Sequence, residues 1–317
     1  MKFWAAPIVA CVLGFALWAA DQKPAPAPKP VPQDQEGEPT RIQVDVTRVN
    51  MLFTVTDKKG RFVTDLTKND FEIIEGRKPQ MIQEFNAEGN LPLRLGILVD
   101  TSNSIRDRFR FEQEAASEFV KTVVNPAQDK AMVVSFDTEA ELVSDLIPDV
   151  DKIDNAIQGL RPGGGTALYD AIYFSCRDKL TQDQPSYKFR RAIVVMSDGE
   201  DTQSRYTRDQ ALEMAQKADV VIYAISTNMT RVESDGDKVL RYLTAETGGR
   251  AFFPFKVEDL EVSFDNIANE LRHQYNISYR PEPLIADGLF HRIDLRVRNR
   301  KELVIHARKG YYAPEHP

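Results

Sequence analysis

Two apolar runs that each end at an aspartate, with strand and helix patterns alternating around them, predict an α/β fold. A doubly wound sheet is expected, inserted into a β-sandwich formed by N- and C-terminal strands. The runs are Leu93-Arg94-Leu95-Gly96-Ile97-Leu98-Val99 before Asp100 and Ala192-Ile193-Val194-Val195-Met196-Ser197 before Asp198. Near-continuous aliphatic stretches of this length are the pattern of strands buried on both faces. Towards both ends of the chain, apolar residues recur at every second position instead, the pattern of strands with one wet face.

Residues 1–20 carry Lys2 and then an unbroken apolar run from Phe3 to Ala20. This reads as a signal peptide or an N-terminal anchor, and export follows from either; no other segment has the apolar length to engage a membrane. Over residues 21–40 the alternating prolines from Pro24 to Pro32 favour an extended polyproline spacer. Residues 41–90 read as β. Ile42, Val44 and Val46 alternate with polar residues, the phase slips to Val49, Met51, Phe53 and Val55, and Asp57-Lys58-Lys59-Gly60 and Glu75-Gly76-Arg77-Lys78 mark turns.

Residues 91–272 alternate strands and helices. Strands are expected over Leu93–Val99, Ala131–Phe136, Arg191–Met196, Val220–Ile225 and Arg250–Phe253, with a shorter one near Ala140–Val143. Helices are expected over Arg110–Val124, Val150–Gly159, Ala167–Lys179, Arg208–Ala218, Lys238–Thr247 and Val257–Arg272. The alternation predicts a parallel sheet with helices on both faces, in which ligands bind beyond the carboxyl ends of the strands. Residues 273–313 return to period two, at Tyr275, Ile277 and Tyr279, at Ile293, Leu295 and Val297, and at Leu303, Ile305 and Ala307. Neither β piece has enough strands for a core of its own. Together they supply about seven, the size of an immunoglobulin-like sandwich.

With 317 residues the chain has room for two domains, and 48 Asp and Glu against 41 Lys and Arg, with no basic stretch interleaved with aromatics, argue against a nucleic-acid-binding surface. Removal of the leader, which contains Cys11, leaves Cys176 alone, so the mature chain has no intramolecular disulfide. Cys176 lies in an apolar helical stretch and reads as a buried thiol.

The chemistry-bearing cluster is Asp100-Thr101-Ser102-Asn103-Ser104, just past the end of a strand. Oxygen donors at alternate positions, with no Cys or His nearby, suit a hard divalent cation, Mg²⁺ first. The glycines of Arg161-Pro162-Gly163-Gly164-Gly165-Thr166 permit a sharp turn that brings the Thr166 hydroxyl to the same place, and Asp198-Gly199 ends the second run. The competing reading makes Ser and Thr helix caps and Asp198 a turn residue.

Asp-x-Ser-x-Ser, the Gly-Gly-Thr loop and a strand ending in Ser-Asp-Gly, in that order, resemble the metal-ion-dependent adhesion site of von Willebrand factor type A domains. The resemblance implies a Rossmann-like domain over 91–272 acting as an exported adhesion or interaction module. It implies that Ser102, Ser104 and Thr166 bind Mg²⁺ (or Mn²⁺ or Ca²⁺) directly, that Asp100 and Asp198 act directly or through waters, and that an Asp or Glu carboxylate of a partner protein completes the coordination. Asp107 falls where integrin β-subunits, which carry a related domain, have the first carboxylate of a second metal site. Here Arg108 follows instead of a second acid, and a solvated charge in the first helical turn is the simpler reading. The inserted layout is similar to that of the integrin β-subunit. The order of leader, Pro-rich spacer, strand-turn, type A segment and closing Arg308-Lys309-Gly310-Tyr311-Tyr312-Ala313-Pro314 also resembles the von Willebrand factor A-related proteins common in acidobacteria.

No catalytic constellation is expected. His273, His291, His306 and His316 lie outside the type A segment without zinc-binding spacing, and the Gly-rich loop lacks the lysine of a phosphate-binding loop. Ser102 and Ser104 have no neighbouring base in sequence. The alternative to a metal-dependent binder is a structural or assembly component of the envelope in which the metal only rigidifies loops.

Overall fold

A computed structural model describes residues 48–315 other than 88–90, 104, 105, 107, 229, 231, 257, 299 and 301. The leader, the Pro-rich spacer, the Ile42–Val46 alternation, Ser104, Asp107 and His316 lie outside the described residues. All of the described chain belongs to one compact unit that runs from Asp45 to Pro317.

Strands β1 (Val49–Thr56), β2 (Phe71–Glu75), β3 (Lys78–Gln80) and β4 (Ile82–Asn86) come first. The middle runs β5 (Leu93–Asp100), α1 (Phe109–Val123), β6 (Lys130–Phe136), β7 (Ala140–Ile147), α2 (Val150–Gly159), α3 (Leu168–Phe174) and β8 (Arg190–Ser197). It continues through α4 (Arg208–Lys217), β9 (Val220–Ser226), α5 (Asp235–Thr247), β10 (Ala251–Phe252) and α6 (Glu258–Arg272). Strands β11 (Tyr275–Tyr279), β12 (Phe290–Val297), β13 (Val304–Ala307) and β14 (Gly310–Tyr312) close the chain.

The middle segment forms a six-stranded sheet in the order β10-β9-β8-β5-β6-β7. Every residue of β5 and β8 is buried, which is why both read as unbroken apolar runs. Leu95, Ile97 and Val99 pack on one face with Phe119, Ile157, Phe264 and Ile267 from α1, α2 and α6. Leu98, Val134 and Val195 pack on the other with Leu168, Leu212 and Leu240 from α3, α4 and α5. The doubly wound α/β class is the observed one, with one departure from a purely parallel sheet: β7 runs antiparallel to β6. Only Asp137, Thr138 and Glu139 join them, enough for a hairpin and far too few for a crossover. The helix expected over Ala167–Lys179 is regular only to Phe174 and continues as a wider π-type turn over Ser175–Leu180. Helix α5 starts three residues before the expected Lys238, because the Ser234 hydroxyl accepts from the Asp237 N–H and the Asp237 carboxylate accepts from the Ser234 N–H in return.

The flanking segments interleave in two four-stranded sheets, β13-β1-β11-β4 and β14-β12-β2-β3. Eight strands take part rather than seven, because β3 and β4 form separately around Met81. Each sheet joins both ends of the chain: β1 pairs with β11 and β13, and β2 with β12. Phe53 packs edge-on to Phe71 at 5.1 Å and stacks on Tyr275 at 5.4 Å. The buried Glu75 carboxylate accepts from the Tyr279 and Tyr311 hydroxyls at 2.8 and 3.0 Å, with His291 Nδ1 at 3.1 Å. Fragments 41–86 and 273–313 are accordingly expected to be unfolded when separate and to gain β signal in circular dichroism when mixed. Cooperative unfolding of either fragment alone would contradict this.

The two parts of the unit touch at the strand-start end of the six-stranded sheet. Gly248, at φ +89° after α5, lies so close to the β13–β14 turn that a Cβ there would stand 2.5 Å from Arg308 N. The Lys309 N–H donates to the Glu246 carbonyl at 3.2 Å, and Arg308 pairs with Asp219. Arg190 donates to the Leu91 carbonyl at 2.7 Å and also to that of Leu271, fastening the entry and exit of the middle segment together. Cys176 is buried, and burial pushes its thiol up. Among the described residues no helix is long and apolar enough to cross a membrane.

Candidate metal centre

From β5 the chain passes to β6 on one side, while β8 joins β5 on the other. This reversal leaves a crevice above the carboxyl ends of β5 and β8, the place where such sheets bind ligands. Asp100, the last residue of β5, is fully buried there. Its Oδ1 accepts from the Ser102 N–H at 2.9 Å and its Oδ2 from the Ser197 hydroxyl at 2.7 Å. Ser197 Oγ in turn accepts from the Gly199 N–H at 3.1 Å. Ser197 therefore uses the end of one strand to orient the carboxylate at the end of the next, a role its place in Ser-Asp-Gly did not disclose.

Asp198 is half-buried and accepts from the Glu200 N–H at 3.1 Å. The turn after it needs glycine: Gly199 has φ +81°, and a Cβ would lie 2.2 Å from the Gly236 carbonyl oxygen. A Cβ on Gly236 would lie 2.1 Å from the Asp198 carbonyl oxygen. The first turn of α5 is thus pressed directly on the Asp198-Gly199 peptide, a contact between segments too distant in sequence for local patterns to show.

The glycine-rich loop closes the third side. The Gly163 N–H donates to the Thr101 carbonyl at 2.5 Å, and the Asn103 side-chain amide to that of Gly164 at 3.3 Å. Gly164 sits at φ +80° against Thr138, where a Cβ would be 2.7 Å from Oγ1. Thr166 is clamped from the loop after β8: its N–H donates to Thr202 Oγ1 at 3.2 Å, and its carbonyl accepts from the Thr202 and Gln203 N–H groups at 2.9 and 3.0 Å. Ser102 and Thr166 are both buried. The loops carrying Asp100, Ser102, Thr166 and Asp198 therefore meet. Asp201, in the loop after β8, caps α3: it accepts from the Tyr169 N–H at 3.0 Å and the Ser204 hydroxyl at 2.6 Å.

Burial pushes the Asp100 carboxyl up to about 6; the Ser102 and Ser197 hydrogen bonds oppose this, and the nearby Asp198 charge adds to it. One turn into α1 lies a further acid that the sequence reading passed over. Glu112 is fully buried, neither of its oxygens has a hydrogen-bond partner, and burial pushes it up to about 8, opposed by Arg108 and reinforced by Asp100 and Asp198. Arg108 is itself buried and donates Nη1 to the Thr227 carbonyl at 3.1 Å, leaving Nε and Nη2 unpartnered. The signal in sequence was the i,i+4 spacing, which usually marks an exposed pair.

Asp100 and Asp198 are close enough for their charges to repel, and a cation held between their loops would relieve that repulsion. The donors at Asp100, Ser102, Thr166 and Asp198 are all oxygen, and among the described residues no group of three or more His, Cys, Asp or Glu converges as a conventional ligand cluster. The set fits a hard ion that keeps several waters.

The family model for the von Willebrand factor type A domain matches residues 95–200, from within β5 to just past Gly199. The chain carries a type A domain. Of solved structures, a von Willebrand factor type A protein from Catenulispora acidiphila is similar at 14% identity and a TM-score of 0.50, over 78% of this chain and 75% of that one. Proximal thread matrix protein 1 from the mussel byssus, with a zinc-occupied metal-ion-dependent adhesion site, is similar at 15% identity and a TM-score of 0.50, over 62% and 49%. The PilB minor pilin of Streptococcus sanguinis has 15% identity and a TM-score of 0.47, over 58% and 62%. The chain thus spans about half of the byssus protein and 62% of the pilin. At these identities the likeness is one of fold. No curated protein matches the chain.

Proposed function

We propose that this protein is an exported, non-enzymatic module that binds a partner protein through a divalent cation, Mg²⁺ or else Mn²⁺ or Ca²⁺. Asp100, Ser102, Ser104, Thr166 and Asp198 would hold the ion, and an Asp or Glu of the partner would complete its shell. When bound, the cation supplies a Lewis-acidic position for that carboxylate. With only two acids among its five ligands it would keep enough positive character to attract a third. The observation that carries the reading is the buried Asp100 carboxylate, oriented by Ser102 and Ser197 and flanked by the Thr166 loop and Asp198. The zinc-occupied site of the byssus protein supports a divalent ion. The apolar run of residues 3–20 supports export.

Affinity capture from an envelope extract, with and without Mg²⁺, tests this reading. A partner lost on adding EDTA is expected, whereas chelator-insensitive capture would favour an assembly role in which the metal only rigidifies loops. Because a proton on Asp100 competes with the ion, calorimetric Mg²⁺ affinity should fall by about tenfold per pH unit below about 6. An affinity independent of pH from 5 to 7 would exclude Asp100 as a ligand.

A further inference from the structure

We propose that the open edge of β12 is a docking site for an extended segment of a partner protein, which adds to the sheet as a further strand and carries acidic residues on its outward face. The site shares no residue with the cation centre. In the sheet β14-β12-β2-β3, β2 lies along residues 293–297 on one side of β12, but β14 reaches only Phe290, His291 and Arg292 on the other. The Ile293 N–H still finds the Lys309 carbonyl at 2.9 Å on the β14 side. Backbone groups of alternate residues in a strand point to opposite sides. Those of Leu295 and Val297 are therefore aimed at the β14 side as well, where no strand of the described residues pairs with them. The bare stretch, residues 294–297, is about 13 Å long.

A cleft of ≈ 760 Å³ lies against this stretch, with Arg77, Arg292, Leu295, Arg296, Ile305 and Lys309 among its walls. Leu295 of β12 and Ile305 of β13, in the facing sheet, are only half-buried. A strand laid beside β12 would cover both with every second side chain.

The rim sets the sign of the partner. Arg296 is paired with Asp294 at 2.5 Å, Arg308 with Asp219, and Glu72, across the ladder from Arg296, with Arg298 at 3.8 Å. Arg77, Arg292 and Lys309 have no ion-pair partner among the described residues. Three unmatched cations thus surround one cleft in a chain of net charge −7. Charged residues on an edge deter chance pairing, and charges of one sign do so selectively, repelling basic strands and admitting acidic ones. A phosphate or lipid headgroup would answer the charge but not the backbone groups of Leu295 and Val297, which a strand satisfies. Within the chain itself, residues 42–46 have the alternation but a single acid, Asp45, between Arg41 and Arg48, and residues 34–38 have Asp34, Glu36 and Glu38 but no apolar side chain. A separate protein supplies both features.

The test is fluorescence anisotropy and amide hydrogen exchange on the full chain in EDTA, which takes the cation site out of the measurement. The probes are three nine-residue peptides: alternating valine and glutamate, alternating valine and lysine, and the acidic peptide with proline, which lacks the N–H, at its centre. The acidic peptide is expected to bind at least about tenfold more tightly than either of the others. It should slow exchange at Leu295 and Val297 and leave Asp294 and Arg296, which face β2, unchanged. Arg292→Ala and Lys309→Ala should each weaken it about two- to fivefold. Equal binding of the proline peptide, or no added protection at Leu295 and Val297, overturns the strand, and equal binding of the lysine peptide overturns the acidic partner. Protection of these two amides that grows with protein concentration in the absence of peptide gives the edge to a second copy. Peptide binding seen only after removal of residues 21–47 gives it to the chain's own segment, and either result overturns the partner.

Discussion

Replacing Asp100 with alanine is expected to lower Mg²⁺ affinity by more than about a hundredfold, beyond the loss typical of groups outside the inner shell. The fold should survive. The change leaves the Ser102 N–H and the Ser197 hydroxyl without their acceptor, a cost of about 1–3 kcal/mol each. It also removes a desolvated carboxylate beside Asp198, which offsets part of that cost. The discriminating measurement is thermal unfolding with and without Mg²⁺. The parent should gain stability with cation concentration as mass action requires, and the variant should gain none. Undiminished calorimetric binding in the variant would exclude the site.

The second large effect concerns Glu112 in the metal-free protein. Its carboxyl lies at about 8 in the folded state against 4.5 for an ordinary glutamate. Between these values the folded protein holds a proton that the unfolded chain has released, so stability falls as pH rises from about 4.5 to about 8 and is level above that. The total is on the order of 5 kcal/mol. Asp100 adds a contribution of the same sign over the lower part of the window, up to about 6. Glu112→Gln mimics the protonated acid at every pH and should flatten the dependence above pH 6, making the variant the more stable protein at pH 8. Urea titrations in EDTA at pH 5, 6.5 and 8 check this. Parallel pH profiles for the two proteins would show that Glu112 is charged throughout.

Much of the middle segment was legible because burial on both faces prints itself on the chain. All eight residues of β5 and all eight of β8 are buried, and both runs stand out. The direction of β7 was not legible, since its alternation of half-buried and exposed residues is the same in either orientation; the three-residue link before it was the usable clue. Helix α5 was read short because its first turn, Asp235-Gly236-Asp237, is polar and held by a cap rather than by apolar packing. At the site, the order of Asp100, Ser102, Thr166 and Asp198 was visible. The parts that hold them were not: Ser197, Gly236 and Asp201 act through contacts across the fold, and Arg108 with Glu112 looks in sequence like any solvated pair on a helix.

The interleaving of the terminal strands bears on how the protein is made. The Tyr275 hydroxyl that bonds Val63 and Leu66 lies 209 positions from Leu66, and Tyr311 lies 236 from Glu75. At ribosomal speeds of roughly 5–20 residues per second, β1 to β4 wait roughly 10–40 s for the strands that complete their sheets. Throughout that interval Met51, Phe53, Phe71 and Ile73, all buried in the finished protein, have no opposite sheet to cover them. The strands of the six-stranded sheet are separated by much less chain and can pair first. Once Arg190 fastens Leu91 and Leu271, the two loose ends are delivered side by side. The type A domain then works as the template on which its own host sandwich closes, and a lesion in its core would appear first as aggregation through the waiting N-terminal strands.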